Sequence, residues 1–340
     1  MSGMTVSFAV VALNASATID ALFDCLRRQT YPHDRIEVIL VDSASADDTR
    51  RKMERFRDGA ADFQRVVVLD NPGKILPCGC NVALKAATGD AVLRVDAHTT
   101  LPDNFIALNV RNLEKGEDIC GGKVISVPAD RTKWSAVLNE AENSMFGGSF
   151  AAFRRADTVR YVSAIAFAIY RKSVFDKVGL YNEALTRTED NDMHYRMKQA
   201  GYRFYYDPEI VSKRETRGTL RGLLRQKYLN GYWIGRTLAV QPRCFSVYHF
   251  VPLLFVLAIF LAAALALCGV TWPGIVLACA YGCANAAMTV MTVIGSPDRN
   301  IGFICLPVIF FLLHVCYGAG TVAGIVGLFR KPHDKRGKSG

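Results

Sequence analysis

The sequence predicts an α/β fold, a mostly parallel sheet flanked by helices, followed by C-terminal transmembrane helices. Two patterns predict it. Up to Asp96, short apolar runs alternate with amphipathic stretches, the order that strands and crossover helices give a parallel sheet. From about Phe250 onward the chain is a succession of apolar segments with few charges. Residues 251–270, 275–294 and 303–328 each reach the roughly 20 residues needed to cross a bilayer core of about 30 Å.

Taken in order, a strand is expected at 5–13 and a helix at 17–28. A strand at 36–41 leads to a helix at 47–56, where Ser45 and Asp48 have the spacing of a capping box. A strand at 65–69, a helix at 80–87 and a strand at 91–95 complete the alternation. Beyond Asp96 the pattern is mixed. A strand at 118–127 contains Gly121-Gly122, and a helix at 132–145 runs into the turn Gly147-Gly148-Ser149. A second apolar run covers 161–170. A helix at 189–200 opens with Glu189, Asp190 and Asp192, acids that complement the helix dipole. A long basic helix at 220–238 interleaves Leu223, Leu224, Tyr228, Tyr232 and Trp233 with its charges, as suits a helix in the membrane interface. The chain thus divides into an α/β segment at 1–216, a basic amphipathic interfacial region at 217–245, a membrane region at 246–328 and a basic tail at 329–340.

The formal charge of +10 is concentrated beside the apolar spans. Lys213, Arg214, Arg217, Arg221, Arg225, Lys227, Arg236 and Arg243 stand against Glu215 alone, and the tail adds Arg330, Lys331, Lys335, Arg336 and Lys338. Such clusters fit anionic lipid headgroups. A nucleic-acid partner is not expected, because the basic stretch runs directly into membrane. The apolar run at 6–13 is short and lacks a basic lead and a small-residue cleavage site, so no signal peptide is read and 1–243 is expected to face the cytoplasm. Of the ten Cys residues, Cys268, Cys279, Cys283, Cys305 and Cys316 in the apolar spans are read as small hydrophobes, and Cys78 and Cys80 as free thiols. Three crossings would carry the tail outside, although its bases favour the inside. The segment at 275–294, with Asn285 and several small residues, is the one expected to be irregular.

Ligands of open α/β sheets bind at the carboxyl ends of the strands. Asn14 follows the first strand, Asp42 closes the second and Asp96 the fourth, so three polar groups are expected along one crevice. No Gly-x-Gly-x-x-Gly follows the first strand and no Gly-x-x-x-x-Gly-Lys-Ser/Thr occurs anywhere, which excludes the usual dinucleotide fingerprint and the P-loop. In Arg94-Val95-Asp96-Ala97-His98 a carboxylate and an imidazole sit two residues apart. Both suit a divalent cation, Mn²⁺ more readily than Mg²⁺. Such a cation can neutralise a diphosphate leaving group.

These motifs together resemble family 2 glycosyltransferases of the GT-A fold, the nucleotide-diphospho-sugar transferase fold, and within them the succinoglycan-biosynthesis ExoA-type branch. Phe8 through Asn14 resembles the family's opening strand, and Val41-Asp42-Ser43-Ala44-Ser45-Ala46-Asp47-Asp48-Thr49 its nucleotide-binding acid loop. Asp96-Ala97-His98 resembles the metal motif, with His in place of the commoner second Asp. Arg187-Thr188-Glu189-Asp190-Asn191-Asp192 resembles the motif supplying the catalytic base, and Arg225-Gln226-Lys227-Tyr228 through Trp233 the interfacial helix. The likeness runs over about 5–236. It departs at Trp233, which lies further on than in Gln-x-x-Arg-Trp, and at Ser163 and Ala168, where branch members have Asp and Gly.

The resemblance implies roles. Asn14 and Asp42 would contact the nucleotide, and Asp96 would sit at nucleotide and metal, with His98 a direct ligand. Asp190 would be the general base and Glu189 its acidic neighbour, while Gln226 and Trp233 would help close the donor site. The implied activity is inverting transfer of a hexose from a nucleotide sugar, UDP-glucose or another UDP-hexose, to a hydroxyl of a lipid-linked sugar acceptor, a polyprenyl diphosphate carrier, in exopolysaccharide biosynthesis. The implied setting is a multi-pass inner-membrane protein with its catalytic domain in the cytoplasm. Three alternatives stay open: a polyprenyl-phosphate glycosyltransferase, a processive polysaccharide synthase, and a membrane scaffold with a degenerate transferase domain.

Overall fold

The computed structural model describes residues 3–128, 130, 132–148, 156–297 and 299–329. The chain forms two compact units, residues 1–129 with 150–216, and residues 130–149 with 217–340. Residues 130–149, inside the 1–216 segment of the sequence, therefore pack with the C-terminal helices. Ser149 of the expected turn and the basic stretch 330–340 lie outside the described residues.

In the first unit β1 (Val6–Ala12), β2 (Ile36–Asp42), β3 (Arg65–Asp70) and β4 (Ala91–Asp96) run parallel in the order β3-β2-β1-β4. Every residue of β2 is buried, as expected of a strand covered on both faces. Its one internal charge, Glu37, accepts hydrogen bonds from the Ser7 hydroxyl at 2.6 Å and the Thr88 amide at 2.9 Å and pairs with Arg65, which is how a buried carboxylate is tolerated. The crossover helices are α1 (Ile19–Arg27), α2 (Thr49–Asp58) and α3 (Leu76–Ala86). α1 turns Ile19, Leu22, Phe23 and Leu26 into the core, each such burial contributing about 1.5–3 kcal/mol.

Two helix starts differ from the sequence reading. α3 begins at Leu76, before the expected 80, with Pro77 in its first turn, where a missing N–H costs nothing. The expected Ser45/Asp48 capping box does not form. The Ser45 hydroxyl instead accepts from the Asn14 amide at 2.9 Å, and Asp47 accepts the Thr49 amide at 3.0 Å.

The sheet continues through β5 (Thr99–Thr100), β6 (Ile119–Val127), β7 (Arg160–Val162), β8 (Ile169–Arg171) and β9 (Phe204–Glu215), with α4 (Phe105–Glu114) before β6 and α5 (Lys133–Asn143) after it. The order is β4-β8-β6-β9-β5, with β7 on β9. β6 and β9 are parallel and the other pairs here antiparallel, so the sheet is parallel in its N-terminal half and mixed beyond. The single run expected at 161–170 splits into β7 and β8, and Phe167 between them has φ +50°. Gly122 sits at the register shift between β6 and β9, where a Cβ would stand 1.9 Å from the Ile210 carbonyl oxygen. The helices α6 (Lys172–Val178) and α7 (Glu189–Gln199) complete the unit.

The second unit contains α5, α8 (Leu220–Thr237), α9 (Val251–Leu267), α10 (Trp272–Gly295) and α11 (Leu306–Phe329). Among the described residues three helical stretches, Val247–Leu267, Trp272–Gly295 and Ile301–Phe329, are long and apolar enough to cross a membrane. α10 is one unbroken helix. The expected irregularity at 275–294 is absent because Asn285 donates its side-chain amide to the Pro307 carbonyl at 2.9 Å rather than opening its own backbone. Val137, Leu138 and Ala141 of α5 pack with Leu306, Ile309, Phe310 and Leu313 of α11. α8 meets the later part of α11 through glycines on both helices, Gly231 and Gly235 against Gly320 and Gly324.

Candidate active site

The parallel strands all end on one edge of the sheet. Because β2 leaves β1 in one direction and β4 in the other, β1 and β4 flank the topological switch point. At the end of β1 the chain turns through Asn14, with φ +50°, and at the end of β2 through Ala44, with φ +61°. Non-glycine residues in this region of backbone space are strained, and such strain concentrates at functional sites. The two turns are sewn together. Asn14 accepts the Ala46 amide on its side-chain oxygen at 2.8 Å, and Thr49 accepts the Ala15 amide at 2.8 Å. Asp42 is buried between them and receives the Ser45 amide at 3.3 Å.

Asp96 closes β4 and His98 follows it, with the imidazole Nε2 4.0 Å from the carboxylate. Both side chains are part-exposed, at 27% and 40%, so a ligand can reach them. Among the described residues no cluster of three metal-binding side chains occurs. A carboxylate and an imidazole in contact are a chemically apt pair of ligands for a divalent ion whose other positions are filled by phosphate oxygens. The donor set fits a cation shared with a diphosphate.

Arg94, two residues before Asp96, connects this corner to α7. Its guanidinium donates to the Asp190 carboxylate at 2.7 Å and lies 3.5 Å from Asp96. Burial alone would lower the Arg94 pKa, but Asp190 and other neighbours hold it well above the ordinary value, so the cation persists. Burial pushes the Asp190 carboxyl up, yet the Arg94 charge outweighs it and keeps the group below the usual carboxylate range. Glu189 behaves oppositely. It is only 3% exposed, and burial, with the Asp190 charge second, raises it to about 8. One turn below, His194 is kept neutral by burial, at about 4, and its Nε2 lies 3.2 Å from the Tyr170 hydroxyl. The adjacent acids at the start of α7 therefore hold different protonation states at neutral pH, Asp190 ionised and Glu189 protonated.

Glu189 also makes the stability of the fold depend on pH. Its folded pKa lies above the ordinary value of 4.5. Between about pH 4.5 and 8 the native state holds a proton that the unfolded chain has lost, so stability falls as pH rises through that window and levels off above it. Glu189→Gln, which mimics the protonated acid, is expected to remove this slope and to stabilise the protein by an amount on the order of a few kcal/mol near pH 8. Thermal unfolding of both proteins at pH 5 and pH 8 reads it. Parallel pH dependences would refute the protonated Glu189.

A cleft of about 150 Å³ opens between these groups, lined by Arg94, Asp96, Asp190, Arg214, Tyr170, Tyr181 and the 165–168 segment. Asp96 and Asp190 thus face one space, while His98, Asp42 and Asn14 stand outside its lining. Ala168 lies in that wall and Ser163 is exposed. Of the other acids, Asp192 pairs with Arg196 at 2.9 Å and Asp48 with Arg51 at 2.9 Å, which are helix-start roles. Gln226 and Trp233 belong to the second unit. Gln226 approaches Glu142 at 3.5 Å, and the Trp233 ring stands edge-on to Tyr232. Tyr181 is not marked by the sequence, and Arg214, grouped there with the bases that fit lipid headgroups, lines this cleft instead. Arg94 carried a signal, since an arginine inside a buried strand needs a carboxylate partner.

An α/β unit whose β4 ends in Asp96, facing one cleft with Asp190 of α7, has the layout of a GT-A-type transferase, and the comparisons with known proteins agree. A solved mannosyltransferase from Pyrobaculum calidifontis, PcManGT in complex with GDP-Man and Mn²⁺, superposes with a TM-score of 0.60 over 94% of this chain and 87% of that one, at 19% identity. That likeness speaks for the fold. The sequence profile of glycosyl transferase family 2 matches residues 7–179, and the chain is 30% identical over 230 residues to the succinoglycan biosynthesis protein ExoA of Rhizobium meliloti (strain 1021), covering 67% of each chain. The protein belongs to the family 2 glycosyltransferases and is related to ExoA. It is also 25% identical over 227 residues to poly-beta-1,6-N-acetyl-D-glucosamine synthase of Staphylococcus aureus (strain COL) and spans about half, 52%, of that relative's length.

Proposed function

We propose that this enzyme moves a hexose from a nucleotide sugar, UDP-glucose or another UDP-hexose, to a hydroxyl of a sugar carried on a polyprenyl diphosphate lipid, with inversion at the anomeric carbon. The observation that carries this reading is the shared cleft of Asp96 and Asp190, bridged by Arg94. A donor's diphosphate at the strand ends and an acceptor hydroxyl at the start of α7 would meet there.

In this reading Asn14 and Asp42 contact the nucleotide, and Asp96 and His98 hold a divalent cation, Mn²⁺ ahead of Mg²⁺. When bound, that cation offsets the negative charge that grows on the diphosphate leaving group. The GDP-Man and Mn²⁺ in the Pyrobaculum calidifontis mannosyltransferase complex support such a pairing of donor and cation. Asp190, ionised, takes the proton of the attacking hydroxyl. Glu189, protonated, is a hydrogen-bond donor beside it, and its buried Oε2 has no hydrogen-bond partner within the described residues. Arg94 keeps Asp190 charged between turnovers. Gln226 and Trp233 are assigned to closing the donor site. The apolar C-terminal helices anchor the enzyme in the inner membrane with its catalytic unit on the cytoplasmic side, where nucleotide sugars are made, and the flanking bases meet anionic lipid.

Donor identity and role are tested together by offering the purified protein a panel of nucleotide sugars with a lipid-linked acceptor pool and Mn²⁺. One sugar added to a diphosphate lipid is the expected product. A processive polysaccharide synthase, a reading supported by the likeness to the staphylococcal synthase, would yield a polymer, and a polyprenyl-phosphate transferase a sugar monophosphate lipid. For His98→Ala, the cation concentration giving half-maximal activity is expected to rise by about 10–100-fold, with acceptor KM unaltered. Unaltered cation activation would remove His98 from the ligand set.

A further inference from the structure

α8 and α11 lie side by side and point the same way. A Cβ at Gly231 would stand 2.0 Å from the Tyr317 carbonyl oxygen, one at Gly320 2.1 Å from that of Tyr228, and one at Gly324 2.1 Å from that of Tyr232. Further along, Arg236 donates to the Gly327 carbonyl at 2.6 Å. Partner numbers rise together along both helices, so the pair is parallel, and small residues let the backbones touch. At 1.5 Å per residue, about 12 Å of α8 from Tyr228 to Arg236 runs beside α11.

Helices packed in parallel share their depth in a membrane. If α11 crossed the bilayer, α8 would have to accompany it, with Arg236 carried along to the level of Gly327. α8 cannot do so. Arg221 and Arg225 are exposed on it, and charged side chains facing hydrocarbon are strongly disfavoured. The first half of α11 is equally committed, since it packs on α5, whose sequence includes Asn139, Glu140, Glu142 and Asn143. His314 of α11 is also tied, through its Nε2, to the Phe146 carbonyl just beyond α5 at 2.7 Å. The burial of the three apolar stretches agrees. Protein covers a third of the window in Ile301–Phe329, 33%, against 6% in each of the other two.

We propose that only α9 and α10 cross the bilayer, as a helical hairpin, and that α11 lies beside α8 at the membrane surface, so that the chain enters and leaves on one side. The charges agree. Arg243 precedes the hairpin and Arg299 follows it, capping the end of α10 through the Ile294 carbonyl at 2.6 Å, while the tip at 268–271 has no charge. Bases on the two flanks of a neutral tip are the pattern of a hairpin whose ends are cytoplasmic. The bases at 330–338, which three crossings would export, then stay inside. The exposed Val308, Phe311 and Val326 of α11 meet acyl chains at the bilayer boundary.

The proposal rests on the membrane anchoring above and not on the catalytic roles. Its test uses the native thiol Cys268, exposed at the hairpin tip, and the exposed end of α11 at Phe329. Sealed right-side-out vesicles holding the full chain are treated with a membrane-impermeant maleimide, and labelled peptides are identified by mass. Cys268 is expected to label from outside, and Cys268→Ser to lose that label. The double variant Cys268→Ser with Phe329→Cys is expected to stay unlabelled until the vesicles are permeabilised. Labelling of the double variant from outside means three crossings and overturns the proposal, as does a Cys268 that labels only after permeabilisation. Release of the chain by alkaline carbonate would overturn the anchoring itself.

Discussion

Asp190→Asn is expected to lower kcat by roughly 10²–10⁴-fold, the contribution of a positioned general base, while nucleotide-sugar affinity is unchanged. The amide keeps the size of the carboxylate and an oxygen for Arg94 to bond, so the ion pair at 2.7 Å becomes a charged-to-neutral hydrogen bond and the cleft keeps its shape. On the role proposed for Asp190, what is lost is the acceptor for the hydroxyl proton. Glu189 cannot replace it at neutral pH, because burial holds its proton up to about pH 8. Transfer of radiolabel from the donor to lipid, measured with donor binding on the same preparation, separates the two effects. Retained turnover with intact binding would assign the base elsewhere.

Arg94→Met carries the second large effect. Arg94 is the charge that overcomes burial and keeps Asp190 ionised. Without it the Asp190 carboxyl is expected to rise by roughly 1–3 pH units, the usual influence of an adjacent arginine on an aspartate. The sign follows directly. A base must be deprotonated to act, so the acid limb of the kcat/KM profile moves to higher pH by the same amount and activity near neutrality falls. Arg94→Lys retains a cation but not the fork that spans Asp190 and Asp96, so it should restore much of the pH profile and less of the rate. An acid limb that stays in place in Arg94→Met would show that Arg94 does not govern Asp190.

Much of the fold was legible because its signals are local. The alternation before Asp96 is a property of short segments, and it fixed β1 to β4 and the edge on which Asn14, Asp42 and Asp96 emerge. The later sheet was harder. β5 has two residues and β7 and β8 three each, too short for any periodicity, and their pairing depends on long-range register. The division of 130–149 into the second unit was invisible for the same reason, since α5 finds its apolar partners on α11. In the site, the acids announced themselves by position and family likeness. The opposite protonation of Glu189 and Asp190 did not, because it depends on Arg94 reaching across from β4. The parallel seam of α8 and α11 was written in the glycine spacing of both helices, but hydropathy alone reads α11 as a span.

On the proposed reading, Asp96 and His98 would hold a divalent cation that offsets charge on the diphosphate leaving group. The most direct test reconstitutes the purified full chain in lipid, supplies the nucleotide sugar that supports transfer, removes divalent ions with a chelator and restores them one at a time. Transfer to the lipid acceptor should vanish with the chelator and return with Mn²⁺, more fully than with Mg²⁺, and Asp96→Asn should blunt the return. Transfer that proceeds undiminished in the chelator would show that no cation is needed, and a cation response that Asp96→Asn leaves intact would place the cation elsewhere.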